Sequence, residues 1–149
     1  MSDDEFLHAF MEGLLSPRQF HHRDHLRVAW LLVRQMDVAS ATRAMSAGIR
    51  RFAAAHDHAA MYHETLTQFW VRTLAHMARE RPDIAEFDVL IETFPQALDT
   101  RLPHRHWRHD TLWSAVATAT WVEPDLLPLP DSGASCRDEG RVATPPMSR

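Results

Sequence analysis

Apolar residues recur at intervals of three and four positions from Phe6 to about Trp121, and no segment alternates as a half-buried strand does. Prolines and helix-capping residues divide this pattern into separate helical segments. A chain of 149 residues has the size of one domain, and long helical segments joined by short links are typical of a bundle. The sequence therefore predicts an all-α, single-domain helical bundle of five to six helices.

The capping and stop signals place the boundaries of these helices. Ser2 with Glu5 three residues later forms a capping box, Asp37 is a typical N-cap, and Pro17 and Pro82 stop the helices that precede them. We expect helices at about 2–15, 22–36, 38–55, 62–81, 83–94 and 110–121. Residues 123–130 are proline-rich, so we expect an extended strap that ends the domain at 130, followed by a disordered tail at 131–149.

Composition excludes several kinds of chemistry. All 16 positively charged residues are arginine, so no Schiff-base or P-loop lysine exists, and the single Cys136 forms no internal disulfide. A net charge of −4 argues against nucleic acid as a partner. Without a membrane-length apolar run or a basic leader we expect a cytoplasmic protein with no membrane partner, and the Arg-rich, Lys-free composition fits a GC-rich bacterial genome.

Eleven histidines are the unusual feature of the composition, and three of them lie on predicted inward faces. His22 and His25 begin the apolar stripe of the second helix, and His63 begins that of the fourth. His21 is four residues before His25, so His21 with His25 is an alternative pair. Because three imidazoles at one end of a bundle match the ligand count of a catalytic zinc site, we expect a divalent metal ion there, either zinc, iron or nickel.

Polar residues beside these histidines are candidates for proton transfer and substrate binding. Asp24 and Glu64 each flank a predicted ligand and are expected to orient it or to serve as a general base. Tyr62, the only tyrosine, is a candidate acid or substrate clamp, and Thr67 lies one turn after His63 and is expected to orient the ligand or the substrate.

A third cluster, at 101–109, contains three arginines, three histidines and a tryptophan. We interpret it as a cationic loop over the mouth of the bundle, in which Arg105 and Arg108 gather an anionic substrate. His109 begins the last predicted helix and is a candidate fourth metal ligand. The alternative is a solvated loop with no role in binding.

Three phrases of the chain resemble a group of small, largely uncharacterised bacterial all-helical proteins. They are the phrases at 20–30, at 62–70 and at 121–130. The resemblance implies a pattern Phe-x-His-x-x-His-Leu at Phe20, His22 and His25, and a histidine ahead of the last helix at one of three positions: His104, His106 or His109. A looser analogy is to DinB-like bundles, which hold a divalent metal with three histidines.

The function predicted from these features is that of a small metal-dependent enzyme acting on a small polar or anionic molecule, as a hydrolase, a lyase or a metal-assisted transferase. Two alternatives stay open. One is a non-catalytic helical module with structural histidines that binds a partner in a groove under the strap. The other is a metal-free enzyme in which a histidine with Glu64 or Tyr62 carries out acid–base chemistry.

Overall fold

The computed structural model describes residues 1–57 and 62–130, and within them it contains helices and no strand. The all-α prediction is confirmed. Seven α-helices follow one another along the chain: α1 (Asp3–Met11), α2 (His22–Gln35), α3 (Val38–Ala55), α4 (Glu64–Glu80), α5 (Phe87–Thr93), α6 (His109–Leu112) and α7 (Ala115–Ala119). None of the helices in the described ranges is both long and apolar enough to cross a membrane.

The centre of the domain is α2, which packs most extensively against α4 and also against α3 and α1. From Leu26 to Leu32 every residue of α2 except Arg27 is buried. Its buried side chains are Leu26, Val28, Ala29, Trp30, Leu31 and Leu32. Packing of these side chains fixes the position of α2, and with it the positions of the polar residues at the two ends of the helix.

The first helix is held by a close approach to α3. The ring of Phe10 lies directly over Gly48, where an added Cβ atom would stand only 2.2 Å from the aromatic carbons. Helix α1 begins with the predicted capping box of Ser2 and Glu5. Because only glycine leaves room for the ring, Gly48 sets the distance between α1 and α3.

The predicted helix at 2–15 ends earlier, at Met11, because of a glycine in a left-handed conformation. Gly13 has φ +74°, and its N–H donates to the Phe10 carbonyl while the Leu14 N–H donates to the Ala9 carbonyl. These two bonds form a Schellman motif, which satisfies the last carbonyls of a helix and terminates it. The prediction of a helix through Leu15 was therefore wrong at its end.

Two later helices also differ from the prediction. The segment predicted as a helix at 83–94 forms α5 only from Phe87. The helix predicted at 110–121 is two short helices, because Ser114 has extended backbone angles and its hydroxyl accepts from the Ala117 N–H as the N-cap of α7. A serine at this position therefore starts a new helix where the apolar period alone predicts continuity.

Residues 121–130 contain no helix and pack on a second, smaller apolar cluster. They include the predicted strap at 123–130, and we use the name strap for all ten. That cluster contains Phe69, Leu102, Trp107 and Leu112. The indole N–H of Trp107 donates to the Val122 carbonyl, and the Leu126 N–H donates to the His106 carbonyl. The strap is thus part of the folded domain, while the predicted tail at 131–149 lies outside the described residues.

Candidate functional site

His63, a predicted metal ligand, is the N-cap of α4 in the structure. Its Nδ1 atom accepts a hydrogen bond from the Leu66 N–H at 3.1 Å. Nδ1 is therefore unprotonated, so Nε2 carries the ring proton and donates it to the Leu112 carbonyl at 2.7 Å. Both ring nitrogens of this buried side chain have backbone partners, and the imidazole joins the start of α4 to the end of α6.

His22 and His25 lie on the first turns of α2. The Nε2–H of His22 donates to the Ala97 carbonyl at 2.9 Å, and its ring meets the edge of Trp70. His25 stacks on Phe20, with 3.8 Å between ring centroids. Burial, reinforced by repulsion from His22, lowers the pKa of His25 to about 4, so this ring is neutral at physiological pH.

The structure does not gather the predicted metal ligands into one group. In residues 1–57 and 62–130 no set of three or more His, Cys, Asp or Glu side chains is placed to hold a metal ion. His109, the candidate fourth ligand, is exposed on α6, where its ring lies parallel to that of His104 at 5.7 Å. The metal ion therefore stays a prediction.

Four histidines instead share one structural role, since each bonds a backbone carbonyl on a distant segment. Besides His22 and His63, the Nε2–H of His56 donates to the Leu15 carbonyl and the Nδ1–H of His106 donates to the Leu127 carbonyl. These carbonyls lie outside regular helical hydrogen bonding or at its ends, where a partner is needed. We call these four side chains the histidine tethers.

The predicted proton-transfer residues form a hydrogen-bonded group of their own. The Tyr62 hydroxyl lies 2.7 Å from Glu64 Oε1 and 2.8 Å from Ser46 Oγ. Having one proton, it donates to the carboxylate and accepts from the serine. Burial raises the pKa of the Tyr62 phenol. Asp24 lies elsewhere, at the start of α2, where its carboxylate accepts from the His21 N–H.

The three predicted substrate-binding residues lie on two separate parts of the chain, Thr67 on α4 and the two arginines before α6. The Thr67 hydroxyl donates to the His63 carbonyl within α4 and is buried. Arg105 and Arg108 are exposed in the segment before α6, where the Arg108 backbone N–H donates to Asp125. Their role in binding a substrate stays a prediction.

A large groove opens on another side of the bundle. Its volume is about 1170 Å³, and it is lined by the C-terminal half of α2, the first turns of α3, one face of α4 from Gln68 to Arg79, and residues 81–84. Four arginines and one aspartate are among its lining residues: Arg34, Arg72, Arg79, Arg81 and Asp37. We call it the arginine groove. Its positive charge contrasts with the net charge of −4 of the chain.

Two of these arginines have their guanidinium groups over indole rings. The Arg34 guanidinium stands 4.3 Å from the Trp30 ring centre, and that of Arg72 stands 4.0 Å from the Trp121 ring centre on the strap. Neither has a carboxylate within 4 Å in the residues that the structure describes. Burial lowers the pKa of Arg72, and the more distant Glu123 only partly offsets this effect.

A hydrogen-bonded chain connects Arg72 to the predicted proton-transfer group. Arg72 donates to Gln68 Oε1 at 3.2 Å, and Gln68 Nε2 donates to Glu64 Oε2 at 2.7 Å. Glu64 in turn accepts from the Tyr62 hydroxyl. The Gln68 amide is therefore held in one orientation, and with it the guanidinium at the wall of the groove.

The other charged groups of the groove are engaged locally. Arg81 forms a two-pronged pair with Asp83. The carboxylate of Asp37 caps α3 by accepting from the Ser40 N–H, which lowers the pKa of Asp37. Arg34 and Arg72, by contrast, have no carboxylate within 4 Å in the described ranges.

One signal in the sequence does point to this groove. Gln68, Arg72, Ala75 and Arg79 are spaced by four, three and four residues, so they share one face of α4. Arginines on a face that also carries small apolar residues indicate a surface that is neither core nor fully solvated. The other walls of the groove belong to α2 and α3. That these helices lie beside this face of α4 follows from the tertiary structure and is not visible in the sequence.

Comparison of the chain with protein-family models, with curated proteins and with solved structures finds no match.

Proposed function

We propose that this protein binds a small anionic molecule in the arginine groove. The observation that carries the proposal is the half-buried Arg72, a cation with no carboxylate within 4 Å in the described ranges, in the wall of a groove of about 1170 Å³. Binding pockets typically combine an apolar lining with a few placed polar groups, and this groove has both. The anionic ligand agrees with the prediction from sequence, but the residues that bind it are different.

The physical reason is the cost of removing a cation from water. Desolvation of Arg72 opposes its charged form, as its lowered pKa records. An anion in the groove restores the lost interactions through charge-assisted hydrogen bonds from the guanidinium. Because Trp121 and Gln68 already hold the Arg72 side chain, little conformational entropy remains to be lost on binding.

The test is NMR titration of the full chain with a panel of small anions, namely acetate, benzoate, phosphate and citrate, and with uncharged glycerol. The indole N–H signals of Trp30 and Trp121 report on the groove, and Trp113 reports on a site away from it. We expect at least one anion, and not glycerol, to shift the first two signals with saturation.

Three variants, each of which replaces one arginine by uncharged glutamine, show where binding occurs. We expect Arg72→Gln to weaken binding about tenfold or more, because a charged hydrogen bond contributes about 1.5–3 kcal/mol. Arg18→Gln removes an exposed arginine outside the groove and serves as the matched control. Arg105→Gln tests the loop predicted from sequence. Equal weakening by all three variants would contradict the proposal.

A metal-dependent enzyme is a second candidate, favoured by the geometry at His22. Because Nε2 of His22 is bonded to the Ala97 carbonyl, Nδ1 is left for a ligand, which is the arrangement usual for metal-binding histidines. His25 on the next turn is the neighbouring imidazole. The test is elemental analysis of untagged protein beside a folded His22→Ala/His25→Ala variant. We expect metal in the parent alone, whereas metal-free protein after reconstitution contradicts this candidate.

A further inference from the structure

We infer that the ligand of the arginine groove is an amphiphilic monocarboxylate, with its carboxylate on Arg72 and an apolar body along the floor. This inference rests on the proposed function and specifies the chemical class of its ligand. Three features of the groove support it: the form of the cations, the lining between them, and the aspartate at the rim.

The cations favour a planar headgroup. A guanidinium presents its N–H groups in a planar fork that matches a carboxylate, and a guanidinium stacked on an indole ring keeps its edge available for that fork. The guanidinium carbons of Arg34 and Arg72 lie over the Trp30 and Trp121 rings, 4.3 Å and 4.0 Å from the ring centres. The chain has no lysine to add a point charge, so the recognition relies on planar groups.

The floor between these cations is apolar. It consists of Val33, Met36, Val38, Ala75, Ala78 and Ile84, of which Ala75 and Ile84 are buried and the others are partly buried. A carboxylate alone would leave most of a volume of about 1170 Å³ to water. An alkyl or aryl body would displace that water from the floor, and each buried methylene would strengthen binding.

The rim argues against a phosphate or another dianion. Asp37 lines the groove and stays ionised because it caps α3. That bond also occupies the Ser40 N–H, one of the backbone donors that a phosphate would use at this helix start. A fixed carboxylate beside the ligand repels a second negative charge, whereas an apolar body is not affected.

The experiment compares a series of linear carboxylates from butanoate to decanoate with the matching primary alcohols, by calorimetry and by the indole signals of Trp30 and Trp121. All ligands stay below the concentration at which they form micelles. We expect affinity to rise about threefold to fourfold per methylene, which corresponds to ~0.8 kcal/mol each, until the floor is covered. We expect each carboxylate to bind at least about tenfold more tightly than its alcohol.

Two pairs of variants separate the two parts of the ligand. Arg72→Gln should remove most of the advantage of carboxylate over alcohol while the increase per methylene remains, and Arg18→Gln should change neither. Ala78→Glu places a charge on the floor and should abolish the increase per methylene, whereas Ala47→Glu, on an exposed part of α3, should leave it intact. Circular dichroism confirms that each variant is folded.

The possible results distinguish this inference from the proposed function. If carboxylates of every chain length bind with the same affinity, the inference of an amphiphilic ligand is wrong, but the groove is still a binding site for anions. Phosphate binding more tightly than every carboxylate would also overturn it. Alcohols that bind as tightly as carboxylates, or a complete lack of binding, would overturn both this inference and the anion-binding function.

Discussion

At the scale of single residues, four of the eleven histidines have backbone carbonyls on distant segments as specific partners. His63 is the clearest case, because one ring nitrogen accepts from the Leu66 N–H and the other donates to the Leu112 carbonyl. Histidine is not among the preferred N-cap residues, so capping rules do not reveal this role. The imidazole is used here because it accepts and donates at two ends of one rigid ring.

Replacement of His63 should therefore cost stability whether or not metal is present. We expect His63→Ala to lower the free energy of unfolding by about 2–4 kcal/mol, since a cap is lost and a buried carbonyl is left without its donor. His63→Asn, which restores the cap alone, should recover part of this loss. Urea unfolding measures both variants, with the exposed His8→Ala as control. A loss for His63→Ala below about 0.5 kcal/mol would contradict the tether.

The lowered pKa of His25 predicts how the stability of the protein depends on pH. Its pKa is about 4 in the folded protein and about 6.5 when unfolded, so the unfolded state binds more protons between these values. Stability should therefore fall as the pH is lowered from about 6.5, by about 2 kcal/mol at pH 5. Denaturant unfolding from pH 4 to 7 measures this slope, which should become shallower in His25→Leu. Identical slopes for the two proteins would refute the assignment.

Gly48 determines the distance between two helices. Gly48→Ala should lower the free energy of unfolding by about 1–3 kcal/mol although alanine favours helix, because its methyl group collides with the Phe10 ring. Ala47→Ser, one residue away on the exposed side, is the control and should change stability by less than about 0.5 kcal/mol. Thermal unfolding compares the two, and a more stable Gly48→Ala protein would show that α1 moves without cost.

At the scale of elements, the strap is an extended segment joined to the body of the domain by few bonds. Asp125 supplies two of them, because its carboxylate accepts from the Arg108 N–H and from the Thr111 hydroxyl. These bonds lower the pKa of Asp125, so they are retained at neutral pH and lost in acid as the carboxyl group is protonated. The strap also carries Trp121, which supports Arg72 in the wall of the arginine groove.

Release of the strap is therefore expected to change the groove. In Asp125→Ala, hydrogen exchange at the Leu126 amide should accelerate about tenfold, since its partner His106 lies in the segment that Asp125 holds. The Trp121 indole signal should shift as well. Asp131→Ala, beyond the strap, is the control. Unchanged exchange at Leu126 in Asp125→Ala would mean that the remaining bonds suffice.

At the scale of the whole molecule, the sequence predicts the three long helices well, whereas the predicted metal site stays a prediction. The apolar periods of α2, α3 and α4 and the caps Ser2 and Asp37 are local features, so they are readable from the chain. The helix break at Ser114 depends on one hydroxyl, which periodicity does not detect. The arginine groove and the predicted three-histidine centre both depend on the approach of separate elements, and in the described residues no group of three or more His, Cys, Asp or Glu side chains is placed to hold a metal ion.

The histidine tethers also affect how chemical modification of this protein is interpreted. Reagents that acylate imidazole nitrogens are used to detect catalytic histidines through loss of activity. In this protein such a reagent would remove the donors that hold the carbonyls of Leu15, Ala97, Leu112 and Leu127. Inactivation after acylation would then report the loosening of the fold, and spectroscopic evidence of intact structure would have to accompany any conclusion about chemistry.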